Sequence, residues 1–134
     1  MADQDHNLNE DMKGAMMRRV RALQGTWEDN ATTVLRMLRD YREMETEQGM
    51  WLASVLLSCS EDLFLGLGAA PGVSTIYTLM WNEVRQIQIG WNLLGPNKFE
   101  YFDQDLLLLD RQILRARLSR LEEEEGRLRT ELNQ

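Results

Sequence analysis

Between residues 107 and 132 leucine recurs at a spacing that only a helix brings onto one face. Every third or fourth residue falls on one stripe, and six of its eight positions are leucine: Leu107, Arg111, Leu114, Leu118, Leu121, Glu125, Leu128 and Leu132. A repeat of about 3.5 residues is typical of a helix that buries one stripe against another helix. We call these eight residues the leucine seam. They predict that the chain ends in a coiled-coil helix, which is expected to form a homo-oligomer, with a dimer favoured.

The rest of the chain shows apolar residues at helical spacing. This spacing predicts helices at about residues 9–24, 27–48, 50–65 and 74–94, with a loop at residues 66–72. Residues 73–79 also alternate as in a short strand, but the length of the segment favours a helix. The predicted fold is all-α, a helical bundle of about four helices packed around the four tryptophans and followed by a long C-terminal helix with a coiled-coil segment.

This fold implies three segments. Residues 1–8 are expected to form a disordered acidic tail, residues 9–102 the bundle, and residues 103–134 the C-terminal helix with its dimerisation segment. Thr26 and Asp29 have the spacing of a capping box for the second helix, and Asp103 is a candidate cap for the last. Residues 106–113 are apolar on more than one face, so we expect this part to pack on the bundle.

Charges beside the seam bear on the orientation of a coiled-coil dimer. In a parallel pair, Asp110 would face Arg115 of the partner subunit, and Arg117 and Glu124 would likewise meet opposite charges. The same pair would place Arg111 and Glu125 each beside its own copy. An antiparallel pair avoids those two contacts but sets Asp110 near Glu131 of the partner subunit. The flanking charges weakly favour the parallel pair. The alternative to dimerisation is that the helix folds back on its own chain.

Charge is unevenly distributed along this chain of formal net charge −7. Residues 13–42 hold seven bases against three acids. Such a segment in an acidic protein can be a contact site for a protein partner, or for nucleic acid if the first two helices pair as a hairpin. Glu28 and Asp29 argue against a nucleic-acid role, because they would repel phosphates. The candidate contacts are Lys13, Arg18, Arg19, Arg21, Arg36, Arg39 and Arg42.

A second alternative function rests on residues 12–23, a short basic amphipathic helix rich in methionine. Such a helix can lie on a membrane surface or fill a groove of another protein. No apolar run reaches the roughly 20 residues that a transmembrane span needs.

The chain offers little for catalysis. Histidine occurs once, at His6, and cysteine once, at Cys59. Nucleophilic triads and histidine metal sites are therefore not expected, and we predict neither an enzyme nor a cofactor nor a metal. The lone cysteine fits a reducing compartment, the cytoplasm or the nucleus. The sequence is best interpreted as a non-enzymatic adaptor, scaffold or regulator that dimerises through its C-terminal helix.

Overall fold

The computed structural model describes residues 2–66, 69 and 71–134, with side chains from residue 10 onward. These residues form six α-helices and one 3-10 turn, Gly95–Asn97. The helices are α1 (Ala2–Arg21), α2 (Trp27–Glu43), α3 (Glu47–Cys59), α4 (Glu61–Leu65), α5 (Pro71–Ile89) and α6 (Glu100–Leu132). The all-α prediction is confirmed.

Four of these helices close into a ring. α2 packs on α3, α3 on α5, α5 on α6, and α6 returns to α2. The first half of the C-terminal helix is therefore the fourth member of the bundle, and the expected boundary at residue 103 falls inside a packed helix. α1 lies outside the ring and packs mainly on α3.

The core of the ring is made of aliphatic side chains and four aromatic ones, Phe64, Tyr77, Phe99 and Phe102. Phe64 and Phe102 are fully buried, together with leucine and methionine from α2, α3 and α5. The tryptophans are only partly buried and pack against this core from outside. The expectation of a tryptophan-centred core was wrong, since all four indole rings are only partly buried. Trp27 lies where its polar edge reaches the backbone, because Nε1 donates to the carbonyl oxygen of Leu63 at 2.7 Å.

A local signal fixes the start of α2 as the sequence predicted. Asp29 N donates to Thr26 Oγ1 at 3.2 Å, which confirms Thr26 as the cap of α2. α5 begins at Pro71, three residues before the predicted start at residue 74, and the missing N–H of proline costs nothing at this position. The segment that alternates over residues 73–79 is helical. Residues 67, 68 and 70 of the predicted loop lie outside the described residues.

Other helix ends differ from the prediction. α1 starts at Ala2 rather than near residue 9, while the expected disorder of residues 1–8 stays a prediction. α2 ends at Glu43, and the chain turns through Glu45 at a φ of 53° before Thr46 caps α3. The predicted helix over residues 50–65 is broken at Ser60 into α3 and α4. α6 begins at Glu100, so Asp103 is not its cap and is free for another contact.

Candidate self-association surface

The first part of α6 is held on the bundle by one apolar stripe. Phe102, Leu106, Leu109 and Ile113 recur at spacings of four and three, and each is at most 5% exposed. These residues pack against α5 and α2. The prediction that residues 106–113 pack on the bundle is therefore correct for Leu106, Leu109 and Ile113.

A row of ion pairs joins the flank of this part of α6 to α2. Its four members are Arg42–Asp103 at 2.7 Å, Arg39–Asp110 at 3.2 Å, Arg117–Asp29 at 2.5 Å and Arg120–Glu28 at 2.8 Å. Acids lie at the start of each helix and bases follow, so the two antiparallel helices are complementary along their length. We call this row the charge ladder. It ends at Arg120, and we call residues 100–120 the docked half of α6.

The ends of the ladder are its most buried members. Arg42 makes a bidentate pair with Asp103 and lies 4.1 Å above the ring of Phe99. Its hydrogen bond to Asp103 raises the pKa of the guanidinium. At the other end, burial alone would raise the pKa of Glu28. Hydrogen bonds, including those to Arg120 and Thr26, hold that pKa below its ordinary value. Because they are partly buried and hydrogen-bonded, such pairs contribute more to the stability of the fold than isolated surface pairs do.

The leucine seam lies on a different face of α6. At 100° per residue its leucines are centred roughly a third of a turn from the buried stripe. The exposed fractions of Leu107, Leu114, Leu118, Leu121, Leu128 and Leu132 are 48%, 51%, 57%, 54%, 51% and 84%. The seam leucines are therefore not the residues that hold α6 on its own bundle, as the fold-back alternative would require.

Beyond the ladder, α6 extends clear of the bundle. Every side chain from residue 121 to residue 134 is exposed. We call residues 121–132 the free half of α6. It begins later than the sequence indicated, because residues 114–120 still belong to the docked half. Its own stabilisation comes from pairs along one helix, such as Arg129–Glu125 at 2.6 Å, and such pairs contribute only about 0.3–0.5 kcal/mol each.

The charge ladder changes the interpretation of the flanking charges. Asp110 and Arg117, which the sequence assigned to contacts with a partner helix, bind Arg39 and Asp29 of the same chain. All three pairs that favoured a parallel dimer thus contain a residue with a partner within the chain, since Glu124 also pairs with Arg127, and Arg129 with Glu125. The sequence pattern could not show this, because α2 lies far from α6 along the chain.

The seven candidate basic contacts do not form one surface. Arg39 and Arg42 form ion pairs with Asp110 and Asp103 of α6, so both already have a partner within the chain. Arg36 is exposed on α2, and Lys13, Arg18, Arg19 and Arg21 are exposed on α1. The hairpin that would have joined the two sets is not the main packing of α1, which lies on α3. The observations therefore favour a solvated set of bases over a phosphate-binding patch.

A buried pair of carboxyl groups joins α5 to α6, and the sequence analysis missed it. Asp105 is 7% exposed, and its carboxyl lies beside that of Glu83. Glu83 Oε2 and Asp105 Oδ2 are buried without a hydrogen-bond partner among the described residues. Two carboxylates so placed repel each other, whereas a proton on one of them lets it donate to the other. Burial, with the hydrogen bond and charge of Asp105, raises the pKa of Glu83 to about 8. The pair can therefore hold one proton at neutral pH.

Cys59 is partly buried. Burial raises the pKa of its thiol, although the charges of Arg21 and Lys13 act in the opposite direction. A thiol with a raised pKa is a weaker nucleophile at neutral pH.

The chain matches no protein-family model, no curated protein and no solved structure. Within the part of the chain that the structure describes, no helix is both long and apolar enough to cross a membrane. Nor do three metal-binding side chains come together in those residues.

Proposed function

We propose that this protein is a non-enzymatic, homodimeric interaction protein, an adaptor, scaffold or regulator, and that α6 is its self-association helix. The observation that carries the proposal is the seam itself, six leucines on one helical face that are each about half exposed or more. Monomeric soluble proteins rarely expose a continuous apolar stripe of this kind, and such stripes usually mark protein interfaces.

The position of the seam supports the same proposal. α6 already packs on its own bundle through a separate apolar stripe and through the charge ladder. A partner helix can therefore approach the seam without displacing either of these contacts. The free half adds a second argument. A helical segment of about a dozen residues with little packing is marginal in water, and a partner helix on the seam would supply the missing burial. Dimerisation would present two copies of the bundle, which suits a protein that holds other proteins together.

The experiment is a mass measurement by light scattering during size exclusion, on the full chain and two variants. Leu121→Glu places a charge in the seam. Ser119→Glu places the same charge on an exposed position of α6 outside both the seam and the buried stripe. We expect a dimer for the full chain and for Ser119→Glu, and a helical monomer for Leu121→Glu. A dimer of unchanged mass for Leu121→Glu would contradict the proposal.

A further inference from the structure

The two polar residues of the leucine seam, Arg111 and Glu125, have opposite charges and lie on either side of its centre. The seam runs from Leu107 to Leu132, and its midpoint falls between Leu118 and Leu121. A helix that ran in the same direction would bring each polar residue against an identical one. A helix that ran in the opposite direction would bring each polar residue near the oppositely charged one. The orientation of the partner therefore decides whether these charges repel or attract.

We infer that the seam pairs with the seam of a second copy of this chain in the antiparallel orientation, so that the free half of each α6 covers the docked half of the other. This inference rests on the proposed dimerisation and specifies the relative orientation of the two helices.

One antiparallel register matches all eight seam positions at once. Leu118 then lies across from Leu121 of the partner subunit, and Arg111 lies across from Leu128 of the partner subunit. Leu114 meets Glu125 of the partner subunit, and Leu107 meets Leu132 of the partner subunit. No seam position is left uncovered, and no polar seam residue meets its own copy. The knobs of a coiled coil pack in layers of this kind.

In this register the opposite charges also become neighbours. Arg111 and Glu125 of the partner subunit are offset by three residues, which is roughly 4.5 Å along the helix axis. Their long side chains can span that offset, and the two-fold symmetry of the dimer provides the contact twice. The parallel dimer instead has one arginine pair and one glutamate pair in its seam, and like charges this close are destabilising.

The ion pairs within the chain remove the main objection to the antiparallel dimer. That objection was the approach of Asp110 to Glu131 of the partner subunit. Asp110 is bound to Arg39 at 3.2 Å, and Glu131 lies 3.7 Å from Arg127. Each carboxylate thus already has a cation beside it, which weakens the repulsion between them.

The remaining flanking charges agree with the antiparallel register. Arg115 would face Glu122 of the partner subunit, and neither residue forms an ion pair with another described side chain. The parallel dimer, in contrast, depends on Asp110 and Arg117, which the charge ladder already uses. The charges left free by the fold thus match the antiparallel orientation.

The seam on the docked half also needs a cover. Leu107 and Leu114 are exposed beside the bundle. In the antiparallel dimer the free half of the partner lies over them. The two bundles then sit at opposite ends of the shared seam, which separates them.

Directed disulfide formation tests the orientation in the full-length protein. Cys59 is first replaced by serine, so that only introduced thiols react. Leu114→Cys and Glu125→Cys are then prepared as two separate proteins, one of them carrying a tag that changes its size. Each is oxidised alone, and the two are then mixed, allowed to exchange subunits and oxidised together. The mass of every sample in solution is measured before oxidation.

We expect covalent dimers between the two different variants and almost none within either variant alone. In the antiparallel register a residue at position 114 lies about 16 Å along the axis from its own copy, since 11 residues separate positions 114 and 125 at ~1.5 Å each. A disulfide needs Cα atoms within about 7 Å. Efficient cross-linking of each variant to itself would overturn the antiparallel orientation and leave the dimer intact. A dimeric mass without cross-links between the variants would overturn the register. A monomeric mass for the Cys59→Ser parent would contradict the proposed dimerisation as well.

A charge reversal gives an independent readout. We expect Arg111→Glu to weaken the dimer about fivefold or more, because each partner Glu125 then faces an acid. Adding Glu125→Arg should restore the affinity. In a parallel dimer each substitution only exchanges one like pair for another. Loss of affinity without rescue in the double variant would therefore overturn the inference.

Discussion

The two halves of α6 differ in apolar content: ten of the 21 residues of the docked half are apolar, against three of the 12 residues of the free half. The docked half carries two apolar stripes, one buried against the bundle through Phe102, Leu109 and Ile113, and one exposed in the seam. The free half carries the seam alone. The docked half is therefore stabilised by its own chain, while the free half gains burial only from another molecule.

This difference shows how one helix can serve folding and assembly together. The apolar stripe of Phe102, Leu106, Leu109 and Ile113 forms the face of α6 that packs on the bundle. The charge ladder holds the flank of that face against α2. The seam occupies a separate face and continues through both halves, with one polar position in each, Arg111 and Glu125. A substitution in one stripe should therefore affect folding, and a substitution in the other should affect association, although both stripes lie on the same helix.

The largest expected effect comes from Leu109→Ala. Leu109 is fully buried, and its removal leaves a cavity in the core. We expect the free energy of unfolding to fall by about 2–5 kcal/mol, as measured by urea denaturation. The matched control is Leu128→Ala in the free half, measured at concentrations where the protein is monomeric. Its expected change is within about 0.5 kcal/mol, and an equal loss in both variants would remove the distinction between the halves.

A smaller loss is expected from Arg42→Ala. The variant loses the bidentate pair with Asp103 and the contact with Phe99. We expect the free energy of unfolding to fall by about 1–2 kcal/mol, since only part of this pair is exposed to solvent. Arg36→Ala serves as the control, because Arg36 is exposed on the same helix. If the two variants were equally stable, the charge ladder would not hold α6.

The carboxyl pair predicts a pH dependence of the docked half. Because the pKa of Glu83 is raised to about 8 in the folded chain from an ordinary 4.5, the folded state keeps a proton that the unfolded state has released. The stability from this group is complete below about pH 4.5 and is lost as the pH rises through 8. Melting temperatures from pH 6 to pH 9 should therefore fall.

Glu83→Gln is the control for that pH dependence. The glutamine amide still donates to Asp105 but does not titrate. We expect a flatter dependence of melting temperature on pH in this variant. If the slope is unchanged, the Glu83 and Asp105 pair is not its source.

The smallest effect is expected at Gly126 in the free half. A Cβ atom at this residue would meet no atom within 4 Å, so alanine fits without strain. Gly126→Ala should stabilise the helix by about 0.5–1 kcal/mol. If the free half gains its order on association, the dissociation constant of the dimer should also fall. An unchanged dissociation constant would indicate that this half is already fully helical in the monomer.

Much of the fold could be predicted from local pattern. The spacing of apolar residues was enough for the helical class, and Thr26 with Asp29 marked the start of α2. The break at Ser60 was missed, and the end of α2 was placed at residue 48 instead of Glu43, because the sequences around both points remain compatible with a helix. The tryptophans were misplaced because periodicity identifies a buried face but not how deeply each residue lies in it.

The site was predictable only in part. The leucine seam is a local repeat and could be read directly, whereas the charge ladder and the Glu83–Asp105 pair join residues from different helices. Nothing local distinguishes Arg39, which binds Asp110, from Arg36, which is exposed. The sequence therefore could not show that Arg39 already has a partner within the chain, and the assignment of Arg36 to a partner surface stays a prediction. The orientation of the partner helix could not be inferred from the sequence for the same reason. The pairs between α2 and α6 determine which flanking charges remain free for a partner.

The central claim is that the docked half is stabilised within the chain and the free half between chains. Amide hydrogen exchange along α6, followed by mass spectrometry over a range of protein concentrations, tests it most directly. We predict that residues 102–113 are protected at every concentration. Protection of residues 121–132 should appear only as the dimer forms. Protection of the free half that is independent of concentration would contradict the account, as would rapid exchange of the docked half in the monomer.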